Sequence, residues 1–498
     1  MSVPERDAVD AALAELRGRE GVEYADARAV VQQGEQLKLR FEAVERLESQ
    51  ASRGIGVRVL FRGAWGFGAR PGTTAAAAVQ AARDALEVAR ASASVARRKV
   101  TLCEEEPAVG VWSTPVAIDP FAVPWDRKLG ELQAAVAAAR GAASAADAAR
   151  IRSIEAHMLW QRERSWFGST EGGRTEQTRT YGGAGLKVVA ADGDESSVRT
   201  WPMDFDGGVL GCGYEAIGQL ALVREAARVT GEAVALLAAP VCPAGRTTLV
   251  LDTPQLALQI HESCGHPTES DRALGEEVSL AGASFLTPDR LGRFRYGAPR
   301  VNLVADATTP GGLGTFGWDD EGVPARRTPL VSRGVFVGYL SSRETAARLS
   351  LGRSAGCMRA ESWNRPPIIR MVNVSLEPDP HGPSSLDELI ADTDDGLLMT
   401  TNRSWSIDDL RLNFQFGCEA AWEIRRGKLG RLYRQPIYTG STPRFWAGCD
   451  AIGGPAAWRT WGFVTCGKGD PMQLMAVGHG TAPARFRDVE VGSSGRGA

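Results

Sequence analysis

The stretch Thr247–Pro267, TTLVLDTPQLALQIHESCGHP, is where the chain changes character. Thr247–Asp252 reads as a short strand. Asp252-Thr253-Pro254 then supplies a helix cap and a proline suited to a first turn. Leu256, Ile260 and Cys264 recur at i+4 and form one apolar row, which buries that face of the helix. His261 lies beside the row, Glu262 follows it, and His266 stands five residues further on. The H-E-x-x-H pattern of zinc peptidases needs i+4, with both histidines on one face and the glutamate as general base. Five residues on an ideal helix turn through about 140°, too far to share one small ion. Two local devices close the gap. Gly265 can stop the helix while Pro267 pushes His266 out of the α region, so that His266 lies beyond the helix and turns back. Alternatively, a π-type turn brings i and i+5 together.

Upstream of this stretch, helices and strands alternate. Residues 4 to 19 have helical spacing (Val9, Ala12, Leu13, Leu16), and ADARAVVQQ, LKLRFEAVERLESQ and GIGVRVLF read as strands. TTAAAAVQAARDALEVARASA and residues 128 to 150 read as helices, strands fill 150 to 202, and a long helix covers 214 to 238. Downstream the pattern is mainly strands and turns. The expected fold is therefore α+β, with a mixed α/β N-terminal half and a mainly β C-terminal half that carries the site helix. The expected boundaries are 1–240, with a further division near 115, then 241–490, then a flexible tail over 491–498.

Composition excludes several function classes. The 498 residues carry a formal charge of −3 with lysine and arginine dispersed, unlike the one-sided basic footprint of a nucleic-acid binder. Eight cysteines without a C-x-x-C pair do not form a secreted disulfide framework, and a reducing compartment fits them better. The charged amphipathic start does not resemble a signal peptide, and no apolar run approaches the roughly 18 residues of a membrane span. A cytoplasmic protein without nucleic-acid or membrane partners is expected.

The plain alternative to a metal site is a pair of hydrogen-bonded core histidines. Only five histidines exist, however, and two fall in this one segment. A third ligand is then required. Thiolate and imidazole both suit zinc, and a Cys-His-His set leaves the fourth position open, as catalytic sites require. Cys264 is near but belongs to the apolar row, whereas Cys466, in WGFVTCGKGD, ends an apolar β-run where glycines begin a turn. Gly312-Leu313-Gly314-Thr315-Phe316-Gly317 matches G-x-G-x-x-G, but Pro310 precedes it and no helix is evident after it, so no dinucleotide cofactor is expected. His479, in VGHGTAP, reads as an exposed loop histidine, with a fourth ligand or a hydrogen-bond donor to the transition state as its functional readings. His157 and His381 read as structural or surface residues.

IHESCGHPTESDRALGEE, the segment from TTPGGLGTFGWDDEGVPARR to YLSSRETAARL, and VTCGKGDPMQLMAVGHGTAPARFRDVEVG together resemble the TldD/PmbA family, specifically its TldD-type metallopeptidases. GIGVRVLFRGAWGFGA extends the likeness into the N-terminal half. The family signature is H-E-x-x-x-H, so the extra residue is the expected spacing. The resemblance implies zinc held by His261, His266 and Cys466, with Glu262 activating water. It implies unfolded or extended peptides as substrates, including modified precursor peptides. It also implies a two-subunit particle, either a homodimer or a heterodimer with a PmbA-like paralogue. Because the resemblance covers them, Trp318, Asp319 and Asp320 are candidate cleft-lining residues, with no role assigned to the loop from Trp318 to Glu321, and His479 is a candidate on its functional reading alone. The rival reading is a non-catalytic scaffold subunit with a structural metal site.

Overall fold

The computed structural model describes residues 4–203, 208–280 and 282–494. The N-terminal half is built on one eight-stranded sheet. Its elements, in chain order, are helix α1 (Pro4–Leu16), strands β1 (Val22–Arg40), β2 (Ala43–Phe61) and β3 (Ala64–Pro71), and helix α2 (Ala75–Val95). There follow β4 (Val109–Ser113), α3 (Trp125–Gly141), β5 (Ile151–Ser169), β6 (Arg174–Asp192), β7 (Glu195–Trp201), β8 (Gly208–Leu210) and α4 (Leu222–Ala238). The path is β3-β2-β1-β5-β6-β4, and β7 and β8 both pair with β6.

Four of these strands have 19 residues, a span of roughly 60 Å. The reason is that one sheet serves two cores. Ala25, Ala27 and Ala29 of β1, with Ile55, Val57 and Val59 of β2, pack on α1 and α2. Leu37 and Leu39, further along β1, join Ile154, Met158 and Trp160 of β5 beneath α3 and α4. The stretches on either side of residue 115 thus share a continuous sheet. Ala43–Arg53, the first part of β2, is different: it is exposed throughout, and β3 pairs only with Gly54–Phe61. Its outer edge meets no other strand among the described residues.

Several local expectations are corrected. LKLRFEAVERLESQ is not one strand but crosses a hairpin turn, with Phe41 at φ 49° between β1 and β2. The helix expected over 214–238 breaks at Ala221, which is left-handed (φ 47°, ψ 45°) and separates Ala216–Leu220 from α4. The helix expected over 128–150 stops at Gly141, and Ser144 caps a separate turn over Ala145–Ala148.

The C-terminal half contains β9 (Gly245–Leu251), α5 (Thr253–Ile260), β10 (Asp395–Ile407), β11 (Asn413–Arg425), β12 (Lys428–Tyr433), β13 (Pro436–Ser441), β14 (Cys449–Ile452), β15 (Arg459–Lys468), β16 (Gln473–Thr481) and β17 (Ala484–Ser493). Strands β10-β9-β17-β13-β11 pair in series and β11 returns to β10, so the sheet closes into a barrel, with β12 and β14 attached outside the ring. A small four-stranded sheet from residues 303–376 and the separate β15–β16 hairpin pack on helix α5 and on each other. The barrel is joined to the N-terminal sheet by buried polar contacts. Glu419 of β11 accepts from Arg199 Nη1 at 2.7 Å, from the Thr200 amide at 2.9 Å and from Thr200 Oγ1 at 2.6 Å. Strand β17 continues to Ser493, so the first residues of the expected tail are strand. Residues 495–498 lie outside the described residues.

Candidate metal centre

Helix α5 is buried at all eight positions, as a helix running through a core must be. Asp252 caps it by accepting the Thr253 amide at 2.7 Å. At His261 the helix widens. His261–Gly265 form one π turn, in which the His266 amide donates to the His261 carbonyl, and His266–Thr268 follow as a 3-10 turn. The π turn is therefore what brings i and i+5 to one side. His266 does not leave the helical region as Pro267 suggested: its φ and ψ are −61° and −44°. Gly265 is also not a terminator. A Cβ there would lie 2.1 Å from Met371 Sδ, so glycine answers a close approach. The wide turn frees backbone carbonyls, and side chains take them up: Thr268 Oγ1 donates to the Cys264 and Gly265 carbonyls and Tyr296 OH to that of Ser263.

Cys466 arrives from the β15–β16 hairpin, 200 residues from His266. The pairing register jumps between Phe463 and Cys466, a bulge of the kind that re-aims a side chain. Cys466 Sγ lies 3.4 Å from His261 Nε2 and 3.8 Å from His266 Nε2. The three donor atoms fall within 4.8 Å of one another, and all three residues are buried. Bonds of about 2.0–2.3 Å around a tetrahedral zinc leave ligand atoms roughly 3.5 Å apart. The donor set and both sulfur-to-nitrogen spacings fit that ion.

The far nitrogens decide which lone pairs are available. The Val374 carbonyl can only accept, so His479 Nδ1, 2.8 Å away, carries the proton and its Nε2 accepts. His261 Nδ1, 2.9 Å from that Nε2, is then the donor. Likewise His266 Nδ1 donates to Glu269 Oε2 at 3.1 Å. Both Nε2 lone pairs are left facing Cys466. Burial pushes the His261 imidazole down to about 4 and lowers His266 as well, which keeps both rings neutral, as ligands must be. Burial alone would raise the Cys466 thiol, but the positive charge of Arg370 opposes it and the thiol lies below its ordinary value. Cys264, fully buried, is pushed up by burial, as expected of a core thiol.

Around these residues stands an outer shell that sequence reasoning missed. Glu269 is fully buried and receives Arg272 Nε at 2.8 Å and Lys468 Nζ at 3.4 Å. Lys468, two residues after Cys466, also reaches Asp271 at 2.8 Å. Arg370 donates to the Cys466 carbonyl, and Arg411 pairs with Glu262. The repeated acidic and basic residues of ESDR and CGK were the only available signals. His479 is fully buried on β16 rather than exposed on a loop, and it acts on His261, not on the shared donor point. His157 is half-buried on β5 and His381 is exposed.

The loop at 318–321 lies elsewhere. Asp320 faces Arg28 at 3.4 Å, Glu321 faces Arg58 at 3.3 Å, and Trp318 packs where a Cβ on Gly110 would sit. It clamps the two halves together and is not among the residues lining the cleft at the three donors. Gly314 of the glycine-rich loop packs on the Val372 backbone and donates its amide to Asn373 Oδ1 at 2.9 Å. The cleft itself, about 450 Å³, is lined by the three donors, Glu262, Arg411 and mostly apolar side chains.

Comparison with known proteins places this geometry. Residues 25–93 match the family model of PmbA/TldA metallopeptidase domain 1, residues 118–233 the central domain, and residues 244–493 the C-terminal domain. A protein of Methanothermobacter thermautotrophicus named a metalloprotease is 29% identical over 95% of this chain and 96% of its own. A Saccharolobus solfataricus protein named a zinc metalloprotease TldD homolog is 24% identical over 40% of this chain and 42% of its own. The crystal structure of TldE from Thermococcus kodakarensis superposes with a TM-score of 0.68 at 16% identity, covering 97% of this chain and 100% of the other.

Proposed function

The chain belongs to the PmbA/TldD metallopeptidase family, and from that premise we propose that it is a zinc-dependent peptidase acting on unfolded or extended peptides, modified precursor peptides among them. The observation that carries this reading is the convergence of two imidazole lone pairs and one activated thiol beside a buried glutamate. His261, His266 and Cys466 would hold the ion. Among the described residues three donors, not four, converge, which favours a catalytic over a structural site. When bound, zinc supplies Lewis acidity that polarises a peptide carbonyl and makes water easier to deprotonate.

The remaining steps belong to the chain. Glu262 takes the proton from the attacking water and delivers it to the departing amine. Arg411 holds the Glu262 carboxylate at the cleft wall. His479 and Glu269 fix the two imidazoles in the tautomer and orientation that ligation needs. Burial excludes bulk water, which strengthens each of these polar contacts.

The same reading includes a cytoplasmic two-subunit particle, a homodimer or a heterodimer with a PmbA-like paralogue. The fold likeness to a TldE chain and the unpaired outer edge of Ala43–Arg53 support it. The test is zinc per chain by elemental analysis beside cleavage of an unstructured peptide. One zinc per chain and chelator-sensitive cleavage are expected. A zinc-loaded chain that cleaves no unstructured peptide would refute the peptidase reading and leave a scaffold subunit.

A further inference from the structure

The mouth of the metal cleft is apolar and open. Leu280 is 67% exposed, Met472 50% and Trp405 41%, and all three line the same cleft as Glu262 and the three donors. They come from three separate segments. Met472 and Leu280 are close together: a Cβ on Gly467, the residue after Cys466, would lie 3.0 Å from Met472 Sδ and 3.7 Å from Leu280 Cδ1. Leu280 also has φ 55°, a left-handed conformation that a non-glycine residue disfavours. Such strain gathers at working sites. Among the lining residues the charged side chains other than histidine are Glu262 and Arg411, and they pair with each other.

Resting on the peptidase reading, we infer that Leu280, Trp405 and Met472 form a subsite for an apolar side chain of the substrate, adjacent to the scissile bond. Among the described residues the lip offers hydrophobic area to an extended peptide and no unpaired carboxylate or cation to a charged one. Burying a leucine-sized side chain there gains apolar contact, whereas an aspartate or lysine is desolvated without compensation. Met472 adapts to side chains of different shape, so the selection is for apolar character over one particular residue.

The test uses unstructured peptides identical except for one guest residue, Leu, Asp or Lys, stepped through the positions flanking the cleavage point. Hydrolysis is followed with the wild-type chain. Affinity is followed by fluorescence anisotropy with zinc-loaded Glu262→Gln. At one position, leucine should be preferred about 10- to 100-fold in both kcat/KM and affinity. Met472→Lys should shift that preference toward aspartate, and Trp405→Ala should flatten it, with zinc content unchanged in both. Equal values for the three guests at every position would overturn the inference, as would a leucine preference that survives Leu280→Asp, Trp405→Ala and Met472→Lys alike. The two readings fail separately. Binding preference without any cleavage supports the subsite and sinks the peptidase, while cleavage without preference sinks the subsite alone.

Discussion

Glu269→Gln is the sharpest probe of the outer shell. The side chain is fully buried, and three donors converge on its Oε2: His266 Nδ1, Arg272 Nε and Lys468 Nζ. Burial opposes its ionisation, yet Lys468, His266 and Arg272 together hold the carboxyl well below its ordinary value. Glutamine keeps the volume and one acceptor oxygen but removes the charge. Lys468, fully buried, then keeps its ion pair with Asp271, whereas the equally buried Arg272 keeps, among the described residues, only the Ser279 and Gly282 carbonyls as side-chain partners. Removing one partner from such a cluster costs about 3–5 kcal/mol, of which the retained acceptor spares part, so a loss of about 3 kcal/mol is expected. At the metal, His266 loses the charged partner that sharpens its Nε2 as a ligand, and zinc affinity should fall about 10- to 100-fold. Chelator competition measures the second quantity, and urea unfolding of the metal-free chain the first. Zinc affinity within twofold of wild type would refute the claim that Glu269 tunes His266.

In Glu262→Gln the donors are untouched, so zinc should stay while peptide turnover falls about 10² to 10⁴-fold; full activity would remove Glu262 as the base. Cys466→Ala should lose metal and activity together, whereas Cys264→Ala should keep zinc and cost about 1 kcal/mol of packing, both read by elemental analysis and urea unfolding. Gly265→Ala forces a Cβ against Met371 Sδ and should cost about 1–3 kcal/mol while weakening zinc retention through the displaced His266. Asp252 is raised above its ordinary 3.8 by burial, so its ionisation opposes folding and its stabilising contribution is lost as pH rises from 3.8 through the elevated folded value. Asp252→Asn, which keeps a capping side chain, should therefore unfold at equal or higher urea at neutral pH, with the advantage vanishing as pH falls toward 3.8.

Some local rules were legible in a single segment. Thr74 caps α2 and the alanine-rich run after it is helical as its spacing predicts. The turn at Phe41 escaped notice because no glycine, proline or asparagine marks it, and a phenylalanine occupies the left-handed position. His479 misled for the opposite reason. Its flanking glycines suggested a loop, but a Cβ on Gly478 would strike Asn373 Oδ1 at 2.1 Å and one on Gly480 would strike Trp458 at 1.8 Å. Glycine there permits tight strand packing rather than a turn. Arg370, Arg411 and Lys468 act across distances in sequence that no spacing rule spans, so only the folded chain shows their partners, whereas Glu269 lies just three residues after His266 and its role follows from the turn between them.

The β15–β16 hairpin pairs with neither the barrel nor the N-terminal sheet, yet it carries one donor, while the other two sit on the π turn 200 residues earlier. An ion held by all three would fasten this hairpin to the core as a removable cross-link closing a very long loop. By the loop-closure argument used for disulfides, such a link is worth about 5 kcal/mol against the unfolded chain. The lifetime of the protein would then follow metal supply. A starved cell would hold chains whose hairpin opens readily to housekeeping proteases, and a replete cell would hold chains that resist them.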